Sequence, residues 1–205
     1  MLFAALSTAL PPPPLYAYLC GSVWDLTKRL EYQRGGAFGT WTGQASFAPA
    51  SDFGAFHLLY NEQGSIVFDA AVTSFESAGR PLCYDCAASK CFFVEGKTYV
   101  SPPPGEGMPT LRFFHDLPLG KLSADVEELK TTASFLAAAT SEELPCSFEH
   151  LCVRDLYRGK FLVQDEDHFE IRWRVEGPTK MGTVLQKYTR QVNTIAHRKL
   201  VLTSS

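Results

Sequence analysis

A chain of 205 residues with 45% hydrophobic content is long enough for one substantial core, and closed β architectures reach this size as a single unit. Nineteen Lys and Arg against 22 Asp and Glu give a formal net charge of −3, with no concentrated basic run, which argues against a nucleic-acid surface. The sequence has no uninterrupted stretch of about 18 apolar residues, the length a membrane-spanning helix needs.

Residues 1–17 read as an apolar, proline-rich arm in which Pro11 to Pro14 form a stiff polyproline spacer. A secretory signal would place basic residues before its apolar run, and a mitochondrial presequence would be rich in Arg. The first basic residue here is Lys28, so the expected location is the cytoplasm, with mitochondrial import as the alternative. Residues 18–190 read as one domain and 191–205 as a C-terminal tail or edge strand.

Over residues 15–30, Tyr18, Leu19, Val23, Leu26 and Leu30 stand at roughly helical spacing and predict a short helix or turn before the first strand. Residues 41–47 alternate apolar and polar positions. Two strands at 56–60 and 65–68 are separated by Asn61, Glu62, Gln63 and Gly64, which read as a hairpin loop. Short strands follow at 82–87 and 90–95. An insertion at 97–110 contains the Pro-rich surface run 101–107, and a strand resumes at 111–117. A second insertion at 118–145 contains an amphipathic helix over 124–139, expected to pack outside the domain or cover one opening.

Strands at 148–153, 157–164, 169–176 and 183–190 complete the series. In the third of these, Phe169, Ile171, Trp173 and Val175 alternate with Glu170, Arg172, Arg174 and Glu176, which puts the apolar set on one face. Gly177 and Pro178 end it, because proline cannot donate to a ladder. The expected fold is mainly all-β: an antiparallel up-and-down barrel of about eight to ten strands. Fifteen Phe, eight Tyr and three Trp favour an aromatic-lined interior.

Several separated patterns resemble one family. They are Gly21 with Trp24, Leu26 and Lys28, then Trp41-x-Gly43-x-Ala45-x-Phe47, Tyr60-x-Glu62-x-Gly64 and Phe113-Phe-His115. The fullest are His150-x-Cys152-x-x-Asp155-x-Tyr157-x-Gly159 and Trp173-x-Val175-x-Gly177-Pro178-x-Lys180, followed by Tyr188-x-Arg190. In order and number they resemble the uncharacterised domain family numbered 6314 among domains of unknown function. The resemblance implies a calycin-like barrel, related in architecture to lipocalins, fatty-acid carriers and nitrobindins. It implies no reaction, so function has to be argued from the site.

Positions two apart in a strand share a face, so His150 and Cys152 are expected to point the same way. Asp155 and Tyr157 follow after a turn or bulge. The site expected from these segments has His150 and Tyr157 inside the barrel, with Asp155 or Arg174 orienting polar contacts. Cys152, Trp173, Tyr188 and the strand-ending His115 join it as further ligand-binding candidates. The competing reading of the same residues is a buried hydrogen-bond network that fixes strand register.

No catalytic residue is assigned. There is no Gly-x-Ser-x-Gly elbow, and Cys152 beside His150 has no evident oxyanion hole. Cys83 and Cys86, three apart, would face opposite sides of a strand, so with Cys91 they read as packing thiols rather than a metal site. Haem is raised only by analogy with nitrobindin-like barrels, with His150, His168 or His115 as the proximal ligand, and no cofactor is expected.

The expected function is non-catalytic binding of a small apolar or amphipathic molecule in the barrel, without nucleic acid and without a membrane span. One alternative is a protein-interaction or assembly component with a filled barrel, its partner engaged through the insertions. A second is an acid–base enzyme using His150, Asp155 and Tyr157.

Overall fold

The computed structural model describes residues 12–70, 74–95, 110–116 and 146–191. The helix expected over 124–139, most of both insertions, the start of the arm and the tail lie outside the described residues.

Helix α1 (Pro14–Leu19) opens the described chain. Proline suits its first position because the missing amide hydrogen would have no partner there. The helix ends at Leu19, short of the 15–30 span over which helical spacing was read. From Ser22 the buried positions Trp24 and Leu26 follow period two, and the chain is strand β1 (Ser22–Arg34).

Strands β2 (Phe38–Pro49), β3 (His57–Phe68), β4 (Ser74–Ala78), β5 (Leu82–Asp85), β6 (Lys90–Glu95) and β7 (Thr110–Asp116) follow. Strands β8 (Cys146–Cys152), β9 (Asp155–Val163), β10 (His168–Glu176) and β11 (Met181–Arg190) complete an all-β, antiparallel, nearly closed barrel. Around the wall the order is β7-β6-β5-β3-β2-β1-β11-β10-β9-β8, with β4 on the side of β3. Neighbours in sequence are therefore neighbours in space, and the pairing of β1 with β11 joins the two ends of the domain.

The described residues form eleven strands, against the eight to ten expected. Strands β1 and β4 were not read from the sequence, and the loop expected at 61–64 is the middle of β3. Asn61, Glu62, Gln63 and Gly64 pair with Ser46, Ala45, Gln44 and Gly43 of β2. Tertiary pairing overrides their turn propensity. Gly43 and Gly64 face each other, and a Cβ on either would meet the other's Cα at 2.5 or 2.7 Å. The glycines mark a close approach in the barrel wall rather than a chain reversal.

The core fills the end of the barrel beside α1. Phe169 stacks on Tyr188 at 4.1 Å and on Phe161 at 4.9 Å, and meets Trp24 edge-on at 4.7 Å. Arg190 ties the helix to this cluster. Its guanidinium lies 4.3 Å from the centre of the Trp24 ring and donates to the Tyr18 carbonyl at 2.8 Å. A smaller cluster of Ala50, Leu59, Cys83 and Val94, with Phe53, Phe92 and Leu111 against it, is separate from the main core.

Candidate functional site

In the half of the barrel away from α1 the interior is not filled. A cavity of about 300 Å3 occupies it, with two walls of different chemistry.

On one wall the inward phase of β1 runs Trp24, Leu26, Lys28, and that of β3 runs Leu58, Tyr60, Glu62. Both strands thus carry a charge on the face that otherwise holds apolar side chains. Lys28 donates to Glu62, their side chains 13% and 9% exposed, and the ammonium also lies 4.8 Å from the centre of the Trp41 ring. The Tyr60 hydroxyl donates to the other Glu62 oxygen. Its own oxygen is then left to accept from the Tyr188 hydroxyl, 3.1 Å away; Tyr188 has a single hydroxyl hydrogen, for which Gln186 Oε1, 3.2 Å from the Tyr188 oxygen, is the competing acceptor. Burial pushes the Tyr60 and Tyr188 hydroxyls well above the usual phenol range, so both are protonated donors at neutral pH.

The opposite wall is aromatic. The pairing of β6 with β7 shifts register between Cys91 and Phe92: Cys91 faces His115, while Phe92 faces Phe113. Phe114 is the extra residue of this bulge, so Phe114 and His115, although adjacent, both line the cavity. His115 stacks on Phe148 at 4.4 Å, Phe148 meets Trp173 edge-on at 4.8 Å, and Tyr157 lies 6.4 Å from Trp173. Burial lowers the His115 pKa to about 4, so the ring is neutral at pH 7. Its Nδ1 is 2.8 Å from the Asp116 carbonyl, which can only accept, so Nδ1 carries the hydrogen and Nε2 the lone pair.

Of the residues singled out in the sequence, His115, Tyr157, Trp173 and Tyr188 come together around this cavity. The other three do not. His150 is half-buried where β8 meets β7, its ring 4.6 Å from Phe114 and 6.3 Å from Tyr157, and it does not line the cavity. Burial lowers its pKa, against the opposing pull of the Phe114 backbone. Cys152 is exposed at the end of β8. Asp155 turns to the loop after β10, where it accepts from the Thr179 hydroxyl and from the Thr179 and Lys180 amides at 2.9 and 3.1 Å. The Thr179 hydroxyl and these amides keep its carboxyl below the usual range. His150 and Tyr157 are thus direct cross-strand partners, while Asp155 is committed to the loop at Thr179.

His168 and Arg174 also stand apart from the cavity. His168 lies 2.8 Å from Asp165 in the β9–β10 turn, and Arg174 pairs with Glu176 at 2.7 Å on the outside of the barrel. Among the described residues no cluster of His, Cys, Asp and Glu is arranged to hold a metal ion. Sequence reasoning missed Lys28, Tyr60, Glu62 and Gln186 as cavity residues. The available signal was phase: each shares the period-two face of buried apolar neighbours. Reading residues 61–64 as a loop removed Glu62 from that test.

A comparison with curated proteins returns no match. Among solved structures, the S-type phycobiliprotein lyase CPES from Guillardia theta is similar at 6% identity, over 88% of this chain and 92% of that one, with a TM-score of 0.49. A redesigned β-barrel, mFAP1, bound to DFHBI is similar at 14% identity, over 85% and 97% of the two chains, with a TM-score of 0.32. Likenesses this distant carry nothing about ligand or activity. Among the described residues no helix is long and apolar enough to cross a membrane. The sequence profile of one family, described as a family of unknown function (DUF6314), matches residues 19–190, and the chain belongs to that family.

Proposed function

We propose that this protein binds a small, flat, apolar or amphipathic molecule in the barrel lumen and performs no chemistry on it. The observation that carries this reading is the cavity of about 300 Å3, walled by aromatic rings and supplied with a few fixed donors and acceptors. Its size is at the low end for ligand pockets, which favours a molecule of a few rings rather than a long lipid. Tyr60, Tyr188 and Gln186 supply polar contacts: Glu62 holds the Tyr60 hydroxyl, and the Tyr188 hydroxyl lies between Tyr60 and Gln186. We place the protein in the cytoplasm, where Cys83, Cys86 and Cys91, buried in the barrel wall, serve as packing thiols.

The test is native mass spectrometry of the purified full-length protein with organic extraction, alongside titration with the neutral fluorophore N-phenyl-1-naphthylamine. We expect a co-purifying small molecule or saturable uptake of the probe, with Trp fluorescence quenching that weakens in Trp173→Phe. If nothing is extracted and the probe does not bind, the lumen is not a binding site.

A further inference from the structure

Resting on that reading, we propose that the ligand is a flat aromatic molecule with two polar ends: a hydroxyl that donates to His115 Nε2, and an anionic group that faces Lys28. His115 is 3% exposed, yet its Nε2 has no hydrogen-bond partner among the described residues. The Nε2 lone pair is an acceptor offered to the cavity that His115 lines. The ring cannot turn to satisfy it, because Nδ1 is bonded to the Asp116 carbonyl and one face is stacked on Phe148. What completes this arrangement is a donor entering from the cavity that His115 lines.

The second end follows from Lys28. The charged side chains lining the cavity are Lys28, Arg80 and Glu62; Arg80 is half-exposed and pairs with Glu95 at 3.6 Å, which leaves Lys28 as the buried cation of the lining. Lys28 spends one of its three N–H groups on Glu62, and its remaining donors serve an incoming carboxylate. In the strand order β1 stands five places from β7, on the far side of the ten-strand circuit, so Lys28 and His115 stand on opposite walls of the cavity. The rings of Phe114, Phe148 and Trp173 on the same wall as His115 favour a planar body between them.

The experiment uses three naphthalenes and measures binding to the full-length protein by calorimetry and Trp fluorescence. They are 6-hydroxy-2-naphthoate, which has both ends, 2-naphthoate, which lacks the hydroxyl, and 2-naphthol, which lacks the anion. N-phenyl-1-naphthylamine reports separately whether the lumen admits any aromatic guest. The two-ended molecule should bind about tenfold more tightly than either analogue.

In His115→Phe, which keeps the ring stack, its advantage over 2-naphthoate should vanish while its advantage over 2-naphthol remains. In Lys28→Met/Glu62→Gln, which removes both buried charges together, the advantage over 2-naphthol should fall instead. Arg80→Gln, at a half-exposed side chain, should weaken both naphthoates relative to 2-naphthol and serves where the double variant does not fold. Binding of N-phenyl-1-naphthylamine without this ranking, or a ranking unchanged in the variants, overturns the two-ended ligand but leaves lumen binding standing. Failure of every probe to bind overturns both.

Discussion

The imidazole of His115 stacks on the ring of Phe148 at 4.4 Å, with 12° between their planes, across the seam between β7 and β8, which no backbone ladder laces among the described residues. Strands β7 and β8 are the two ends of the strand order, and among the described residues side chains rather than ladder hydrogen bonds join them. Seam and cavity wall are thus built from the same rings.

This makes His115 a source of pH-dependent stability. The folded protein holds its pKa near 4, while the unfolded chain titrates at the ordinary value of 6.5. Between these values the unfolded state binds a proton that the folded state refuses, so stability is full above pH 6.5 and falls as pH drops toward 4. The loss from this residue should reach about 3 kcal/mol at pH 4. Urea unfolding at a series of pH values should show the slope in the native protein and a flatter one in His115→Phe.

Gly159 of β9 lies opposite Phe148 of β8 and Trp173 of β10. A Cβ there would meet the Phe148 ring at 2.1 Å, because that ring fills the space a side chain would take. Gly159→Ala should therefore destabilise the protein by about 1–3 kcal/mol. Adding Phe148→Leu should recover part of the loss. Chemical denaturation of the single and double variants measures the coupling, and strictly additive effects would mean that the two positions do not compete for space.

Lys28 and Glu62 are worth more together than either is alone. Lys28→Met leaves Glu62 without its cation inside the barrel and should cost about 3 kcal/mol. Lys28→Met/Glu62→Gln removes both charges and should lie much closer to the native protein. Equilibrium unfolding checks the order, and a double variant no more stable than the single one would contradict it.

The thiols should separate by exposure. Cys152 is exposed, while Cys83, Cys86 and Cys91 are buried, and burial pushes the Cys83 thiol up to about 12. Labelling with a disulfide reagent under native conditions should lose one rapid equivalent in Cys152→Ser. It should lose none in Cys83→Ser or Cys91→Ser, which matter only after denaturant is added.

The sequence by itself determined the class of fold and most of the wall. Alternation in β2 and in β8 to β11 is a local property, since period two follows from strand geometry whatever the partner. It also singled out His115, Tyr157, Trp173 and Tyr188, which share the cavity. What lay outside its reach was decided between strands. Residues 61–64 have the composition of a loop, and only pairing with β2 makes them a strand and turns Glu62 inward to Lys28. A bulge in β7 brings Phe114 and His115 to the same side, which strict alternation forbids.

His150 and Asp155 stand beside Tyr157 in sequence but serve the seam and the loop at Thr179. The physical reason is common to all of these. A shift of one residue in register moves every side chain of a strand to the other face, and register is set by partners distant in sequence. Which polar residues meet in the lumen is therefore a property of the closed barrel, not of any segment that builds it.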